Sequence, residues 1–525
     1  MTGVPLFVLV FAASIVAGVA RWLGLPSAVL LMVAGVAASF LPGIPDYELD
    51  PEVVLFLVLP PLLYAAAVDS SFVSFRANLR PIGLLSVGLV LFTALVVGLV
   101  AYAVIPSLPL AAAFVLGAVV APPDAVSATA IARRIGLPRR IVTILSGESL
   151  VNDATALTAY RVAVAAVVGG SFSLAHAAGE FAVAAIGGVG VGLVVGSALH
   201  WVRLRLDQPP LENTLELLVP FGAYYVAEHI HASGVLAVIT AGLYLGHRAP
   251  EGTYATRLLA TSIWKVITFV LESVVFALIG LQLRDILAEQ PYPVGQLALY
   301  ATVVVATVIV SRFVWVFPTT YLPRRLFRRL RDQDPAPPWQ YAVVVSWAGL
   351  RGVVSLAAAF AVPLQTDAGQ PFPARELILF LTFCVIFATV VLQGLTLPGV
   401  IRLLGVQAKE DYHDNLAEAA AQQQAARAAL ERLEQVVRED GTPPPEGVVE
   451  SLRILTERRS LAAWERLGSN TEETPSAAFR RLRREMLAAE REVFVRLRDE
   501  QRIDDEVLRR VLRELDLEEA MLARE

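Results

Sequence analysis

Long apolar stretches separated by short polar turns fill the first three quarters of the chain. A helix needs roughly 20 apolar residues to cross about 30 Å of hydrocarbon. Reading for such runs gives thirteen: 4–20, 26–42, 53–68, 82–105, 110–132, 141–168, 180–201, 214–230, 234–246, 260–283, 296–318, 341–363 and 376–402. The first run has neither a basic flank before it nor a small-residue cleavage site, so it reads as a retained helix. His229 and His231 fall in the brief turn after the eighth run and read as surface residues. From about residue 405 the pattern changes. Leu430, Leu433 and Val437 recur at helical spacing among charges, Gly441-Thr442-Pro443-Pro444-Pro445 interrupts them, and amphipathic stretches follow at 446–467, 476–500 and 503–523.

Composition sharpens this division. The chain of 525 residues is 56% apolar and 17% charged, with a mean hydropathy of +0.61. Soluble domains run nearer 45–50% and roughly 25%, which excludes an ordinary soluble enzyme. Roughly half of the charged residues lie beyond residue 402. The expected organisation is therefore a transmembrane domain over 1–404 and a helical, cytoplasmic tail over 405–525. The single Cys384 excludes a disulfide framework or thiolate cluster, and a net charge of −5 gives no reason to expect nucleic acid as a partner. Nothing in the chain calls for a cofactor. Orientation follows from the loops: with the N-terminus outside, Arg76, Arg80, Arg133, Arg134, Arg203 and Arg324 and their basic neighbours lie inside, against Arg284 and Arg375 outside. An odd number of crossings then leaves the tail in the cytoplasm of a cell whose plasma membrane holds the protein.

A few charges stand where lipid should be. Asp124, Glu148, Asp153, Arg161, Glu272 and Arg351 fall within apolar runs, and each costs at least ~2.5–3.5 kcal/mol on insertion scales. Such groups must face protein or water. Arg312 lies nearer the inner end of its run and reads as a snorkelling side chain. In Ser146-Gly147-Glu148-Ser149-Leu150-Val151-Asn152-Asp153, Ser149 and Asp153 share one helix face and Glu148 and Asn152 the adjoining one. Oxygen donors of this kind suit hard cations such as Na⁺. Pro122-Pro123-Asp124 should break the fifth helix, and Asp124 is placed to cap the half-helix that follows. Gly349-Leu350-Arg351-Gly352 marks a second weak point in the twelfth. Two interrupted helices in corresponding places of two halves point to a secondary transporter built from inverted repeats. Arg351 is expected to pair with Glu148, Arg161 to tie neighbouring helices together, and Glu272 either to line the ion pathway or to serve a structural role.

Pro122-Pro123-Asp124-Ala125-Val126, Gly147-Glu148-Ser149-Leu150-Val151-Asn152-Asp153-Ala154 and Gly349-Leu350-Arg351-Gly352 resemble the signature segments of the sodium/proton exchanger family, the monovalent cation/proton antiporters of the first type. The bacterial branch with a cytoplasmic helical tail is the best fit. The resemblance implies an all-α polytopic membrane fold of about thirteen helices with two crossed broken helices. It further implies a core bundle moving against a dimer-forming scaffold, hence a homodimer in the bilayer. It implies that Asp153 binds either cation or proton and that Ser149 is a direct Na⁺ ligand. Asn152, Glu148 and Arg351 then form the supporting polar network, with Asp124 the acid of the unwound crossing. One departure stands out: many relatives place Pro after that acid, whereas here two prolines precede it.

The expected activity is thus exchange of Na⁺, or K⁺ or Li⁺, for H⁺ by alternating access, with a K⁺-preferring antiporter as the alternative. Asn152 is an amide that cannot release a proton, so the exchange is expected to be electroneutral, 1:1. An intramembrane enzyme would need paired aspartates, a His-Glu-x-x-His helix or a Ser/His pair, and a K⁺-type channel a Thr-Val-Gly-Tyr-Gly filter. No such motif stands out in the sequence.

Overall fold

In the computed structural model the described residues are 3–42, 53–124, 135–169, 174–206, 208–406, 410–439, 444–465 and 473–524. They are helical throughout, with one isolated bridge between Gln365 and Pro371 and no strand among them. The chain divides into two compact units, Met1–Gln407 and Ala408–Glu525.

The first unit contains α1 (Gly3–Leu23), α2 (Ser27–Ser39), α3 (Val54–Val68), α4 (Leu79–Val104) and α5 (Leu110–Val120). It continues with α6 (Arg139–Val168), α7 (Leu174–Arg203), α8 (Pro209–His229), α9 (Gly234–Arg248) and α10 (Tyr254–Leu281). α11 (Val294–Leu326), α12 (Trp339–Trp347), α13 (Val353–Phe360) and α14 (Arg375–Leu403) complete it. Each of the apolar runs expected from the sequence meets a helix here, the twelfth a broken pair and the fifth as far as Val120. Among the described residues, six helical stretches have the length and composition of a membrane span: Val4–Leu23, Leu79–Val104, Phe181–Arg203, Tyr254–Ala288, Val294–Leu326 and Arg375–Leu403.

Local chemistry sets the boundaries. A proline stands at or just before the first turn of α2, α5, α6, α8, α11 and α12. Its fixed φ suits a helix start, and it lacks an N–H that would go unpaired there. Ser233 and Thr253 cap α9 and α10, their hydroxyls accepting from the amides of Leu236 and Thr256. His229, the last residue of α8, and His231, in the short turn before α9, are both exposed, as expected.

Small residues let the helices approach. A Cβ on Gly280 of α10 would stand 2.9 Å from the Cα of Gly35 on α2, and a Cβ on Gly35 would stand 3.0 Å from the Cα of Gly280. Lipid tails are as apolar as leucine, so such close packing, rather than water exclusion, holds membrane helices together. α5 lies at the centre, with Ala112, Val115, Leu116, Val119 and Val120 buried. Val4, Phe7, Phe11 and Ile15 form an exposed apolar stripe on α1, and Val183, Ile186 and Val194 another on α7.

The second unit contains α15 (Glu410–Glu439), α16 (Val448–Glu465), α17 (Pro475–Asp499) and α18 (Asp505–Arg524). α17 and α18 pair through Leu487, Leu515 and Leu522, flanked by ion pairs of Arg483 with Glu518 and of Arg491 with Asp516 and Glu519.

Gly280→Leu should force α2 and α10 apart and cost ~1–3 kcal/mol. Thermal unfolding in detergent should show a melting temperature several degrees below the parent; an unchanged one would refute the close approach.

Candidate functional site

α5 stops at Val120 and its chain runs on non-helically through Ala121, Pro122, Pro123 and Asp124. α12 stops at Trp347, five residues run unwound, and α13 begins after Gly352. The two breaks meet: the amide of Asp124 donates to the carbonyl of Leu350 at 2.6 Å. A Cβ at position 352 would stand 2.5 Å from Asp124 Oδ2, so glycine is what lets the carboxylate lie against that backbone. The half-helix that Asp124 was expected to cap lies outside the described residues.

Arg351 sits in this crossing, fully buried, and its guanidinium is spent on backbone oxygens. Nε donates to the carbonyl of Val120 at 3.1 Å, Nη2 to that of Ala121 at 3.4 Å, and Nη1 to that of Gly349. Its own amide donates to Thr389 Oγ1 at 3.1 Å. A helix end leaves carbonyls without partners and carries partial negative charge, and the arginine answers both. The expected pairing of Arg351 with Glu148 is therefore corrected.

Glu148 instead pairs with Arg312. Nη1 and Nη2 of Arg312 donate to Oε1 and Oε2 at 2.5 and 2.7 Å, and both side chains are 1% exposed. The Nε of Arg312 donates to the carbonyl of Val345, in the last turn of α12, at 3.0 Å. The reading of Arg312 as a snorkelling residue fails because α11 runs on to Leu326. That places Arg312 roughly 20 Å along the axis from the helix end.

α6 runs beside the crossing. Asn152 donates from Nδ2 to the carbonyl of Pro123 at 2.5 Å, so the amide secures the broken segment of α5. Asp153, buried, and Ser149, half-buried, line a cavity of about 750 Å³ together with Asp124, Ser146, Glu272 and Ser355. The cavity thus brings together four of the candidates, Asp124, Ser149, Asp153 and Glu272. Glu148 and Arg351 lie in the packed wall behind them. Arg161 stands apart, 58% exposed and paired at 2.8 Å with Glu228, which ties α6 to α8 as expected.

The same cavity holds acids that the sequence reading passed over. Glu212 and Glu216 are buried in the first two turns of α8. Glu216 accepts from Tyr64 at 3.1 Å and forms an ion pair with Arg203. The apolar run appeared to start at 214, which left Glu212 outside it and Glu216 at its edge. The signal was there: 212, 216, 219, 223 and 227 fall on one helical face with the buried Val219, Ala223 and Ala227. At the end of the cavity near residues 249–251, Arg248 bonds Glu251 and holds its carboxyl below the ordinary value.

A family model described as the transmembrane sodium/hydrogen exchanger matches residues 8–403. The chain belongs to that family. An uncharacterized Na⁺/H⁺ exchanger of Mycobacterium bovis is 38% identical over 94% of this chain and 91% of its own length. A protein of Bacillus pumilus named for sodium, potassium, lithium and rubidium/H⁺ antiport is 31% identical over 79% of this chain and 63% of its own length. The fold resembles that of the sodium proton antiporter MjNhaP1 from Methanocaldococcus jannaschii, with a TM-score of 0.60 at 20% identity, covering 74% of this chain and 97% of that one. The exchanger is a membrane-embedded cation/proton antiporter, not an enzyme.

Breaking the buried Glu148–Arg312 pair from either side leaves an uncompensated charge, a loss of about 3–5 kcal/mol. Glu148→Ala and Arg312→Ala should each lower the detergent melting temperature, and the double variant should lose less than the sum. Glu148→Ala with Arg351→Ala should be nearly additive; coupling in that second cycle and none in the first would reverse the assignment.

Proposed function

We propose that this exchanger moves Na⁺ against H⁺ at Asp153, one ion displacing the other from a single carboxylate. The supporting observation is the position of Asp153: a buried acid in the cavity wall, beside the crossing of two interrupted helices. Ser149 lines the same cavity one helical turn earlier and supplies a hydroxyl oxygen to the cation. Asn152, Arg351 and the Glu148–Arg312 pair hold the surrounding backbone and charge in place, and Glu272 lines the route.

The cavity reaches the loop ends of α7 to α10, where Arg203, Arg248 and Arg257 cluster. By the positive-inside rule this end is cytoplasmic, which makes the conformation inward-open, puts the N-terminus outside and leaves the tail in the cytoplasm. The host membrane is the plasma membrane. The exposed apolar stripes on α1 and α7 suit lipid and a second copy of the chain in a homodimer. The breadth of cations in the name of the Bacillus pumilus relative favours a site that also accepts K⁺ and Li⁺.

Exchange is electroneutral in this reading. Glu148 has both oxygens engaged by Arg312, and Asn152 has no proton to give. Asp124 and Glu272 share the cavity, so the measurement must detect a second proton carried on either.

Asp153→Asn should insert normally and abolish Na⁺-dependent dequenching of a pH dye in acid-loaded proteoliposomes; exchange at the parent rate would remove Asp153 from the mechanism. For stoichiometry, a membrane potential of 100 mV acts on each net charge moved with about 2.3 kcal/mol. With the potential set by a gradient of the permeant anion thiocyanate and K⁺ left out, the Na⁺/H⁺ gradient ratio at zero net flux should not move. A ratio that follows the imposed potential would contradict 1:1 exchange. A chain ending at residue 405 should still insert and exchange; complete loss of transport would make the tail part of the transport machinery.

A further inference from the structure

Glu212 lies in the first turn of α8 and lines the cavity near the loop that leads into α10. It is 2% exposed. One of its oxygens is fixed: the Thr256 hydroxyl donates to Oε2 at 3.1 Å, and the Thr253 hydroxyl lies 2.8 Å from that of Thr256. Thr253 is also the cap of α10, so this short chain of hydroxyls is anchored to a helix end. The other oxygen, Oε1, has no hydrogen-bond partner. Buried acceptors almost always have one, and a buried carboxylate oxygen left alone is costly.

The neighbouring charges face one another instead. On α7, Arg203 pairs with Glu216, which also accepts from Tyr64 of α3. At the end of α9, Arg248 pairs with Glu251, and His200 of α7 lies 3.2 Å from the same carboxylate. Arg257 of α10 donates to the carbonyls of Pro250 and Gly252. Lys265, further along α10, is exposed. None of these cations pairs with Glu212. The next residue repeats the pattern: the amide of Asn213 donates to the carbonyls of Pro209 and Thr256, which leaves its Oδ1 unpartnered and buried.

We propose that Glu212 forms a second monovalent-cation site in this cavity, a staging post between bulk water and Asp153. The proposal rests on the reading of the cavity as the ion route. A lone carboxylate oxygen with neutral oxygens nearby suits a hard cation of single charge. Ca²⁺ would ask for six to eight oxygen ligands, several of them carboxylates. A fixed negative charge in a low-dielectric cleft also concentrates counter-ions, by factors of about 10 or more, so the post raises the supply of Na⁺ to the deeper site.

The test uses the purified full chain carrying Asp153→Asn, which removes the deeper carboxylate. Its melting temperature should rise with Na⁺, as mass action requires of any ligand that binds only the folded state, with ionic strength held constant by choline chloride. Adding Glu212→Gln should abolish the rise, and adding Glu212→Asp should weaken it. In the parent chain, Glu212→Gln should raise the half-saturating Na⁺ concentration for exchange about tenfold. If the Gln variant does not fold, the Asp variant carries both measurements. A rise of the same size with and without the Glu212 change, a rise that choline reproduces, or none at all in the Asp153→Asn chain overturns the proposal. Exchange surviving Asp153→Asn would instead remove Asp153 as the transport carboxylate while leaving the Glu212 measurement standing, because that measurement reads binding rather than transport.

Discussion

Two helices are interrupted inside the membrane domain, and each interruption frees backbone groups that lipid cannot satisfy. The protein meets this cost with an arginine, a backbone hydrogen bond and the side chains of Asn152 and Thr389. Arg351 covers the carbonyls of Val120, Ala121 and Gly349, while the amide of Asp124 reaches Leu350. The rest of the site depends on that arrangement. Asp124 lies against Gly352 because the crossing is close, and Asn152 reaches Pro123 because the broken segment passes α6. An arginine committed to backbone oxygens is not free to form an ion pair with Asp153.

Buried charge in this protein falls into two kinds. Glu148 and Arg312 satisfy each other with both oxygens and both terminal nitrogens, and Arg312 spends its remaining nitrogen on Val345. Replacing such a pair by well-packed apolar residues is often neutral or stabilising. The pair's effect is geometric: it fastens α6 to α11 and to the end of α12 just before the break. Asp153, four and five residues on from Ser149 and Glu148, opens to the cavity instead of a partner of that kind. A paired acid and an acid that faces the cavity stand on neighbouring strips of one helix.

Polar bonds also sort the helices around the cavity. α5, α6, α11, α12 and α14 are joined through Asn152, Glu148, Arg312, Arg351 and Thr389. α3, α7 and α8 are joined through Tyr64, Arg203 and Glu216, with Glu212 and Thr256 extending that set to α10. The cavity lies between the two sets. Arg161 of α6 and Glu228 of α8 bridge the two sets with an ion pair at 2.8 Å.

The sequence by itself determined the helices, the two breaks and the acid at Asp153. Each is a local matter: runs of apolar residues long enough for a bilayer, consecutive prolines, an arginine between glycines, and a carboxylate within an apolar run. The pairing of the arginines was decided only by the tertiary structure. Arg312 and Arg351 are both single cations in apolar helices, and nothing along the chain says which one faces Glu148. That depends on the rotation of α11 and on which carbonyls the α5 break leaves open. Glu212 and Glu216 were missed for a related reason. They stand at the edge of an apolar run, where an acid ordinarily faces water, and only the packing of α8 against α3, α7 and α10 turns that edge inward. Periodicity fixes which residues share a face, but the face that becomes interior is chosen by the neighbours, and these come from distant parts of the chain.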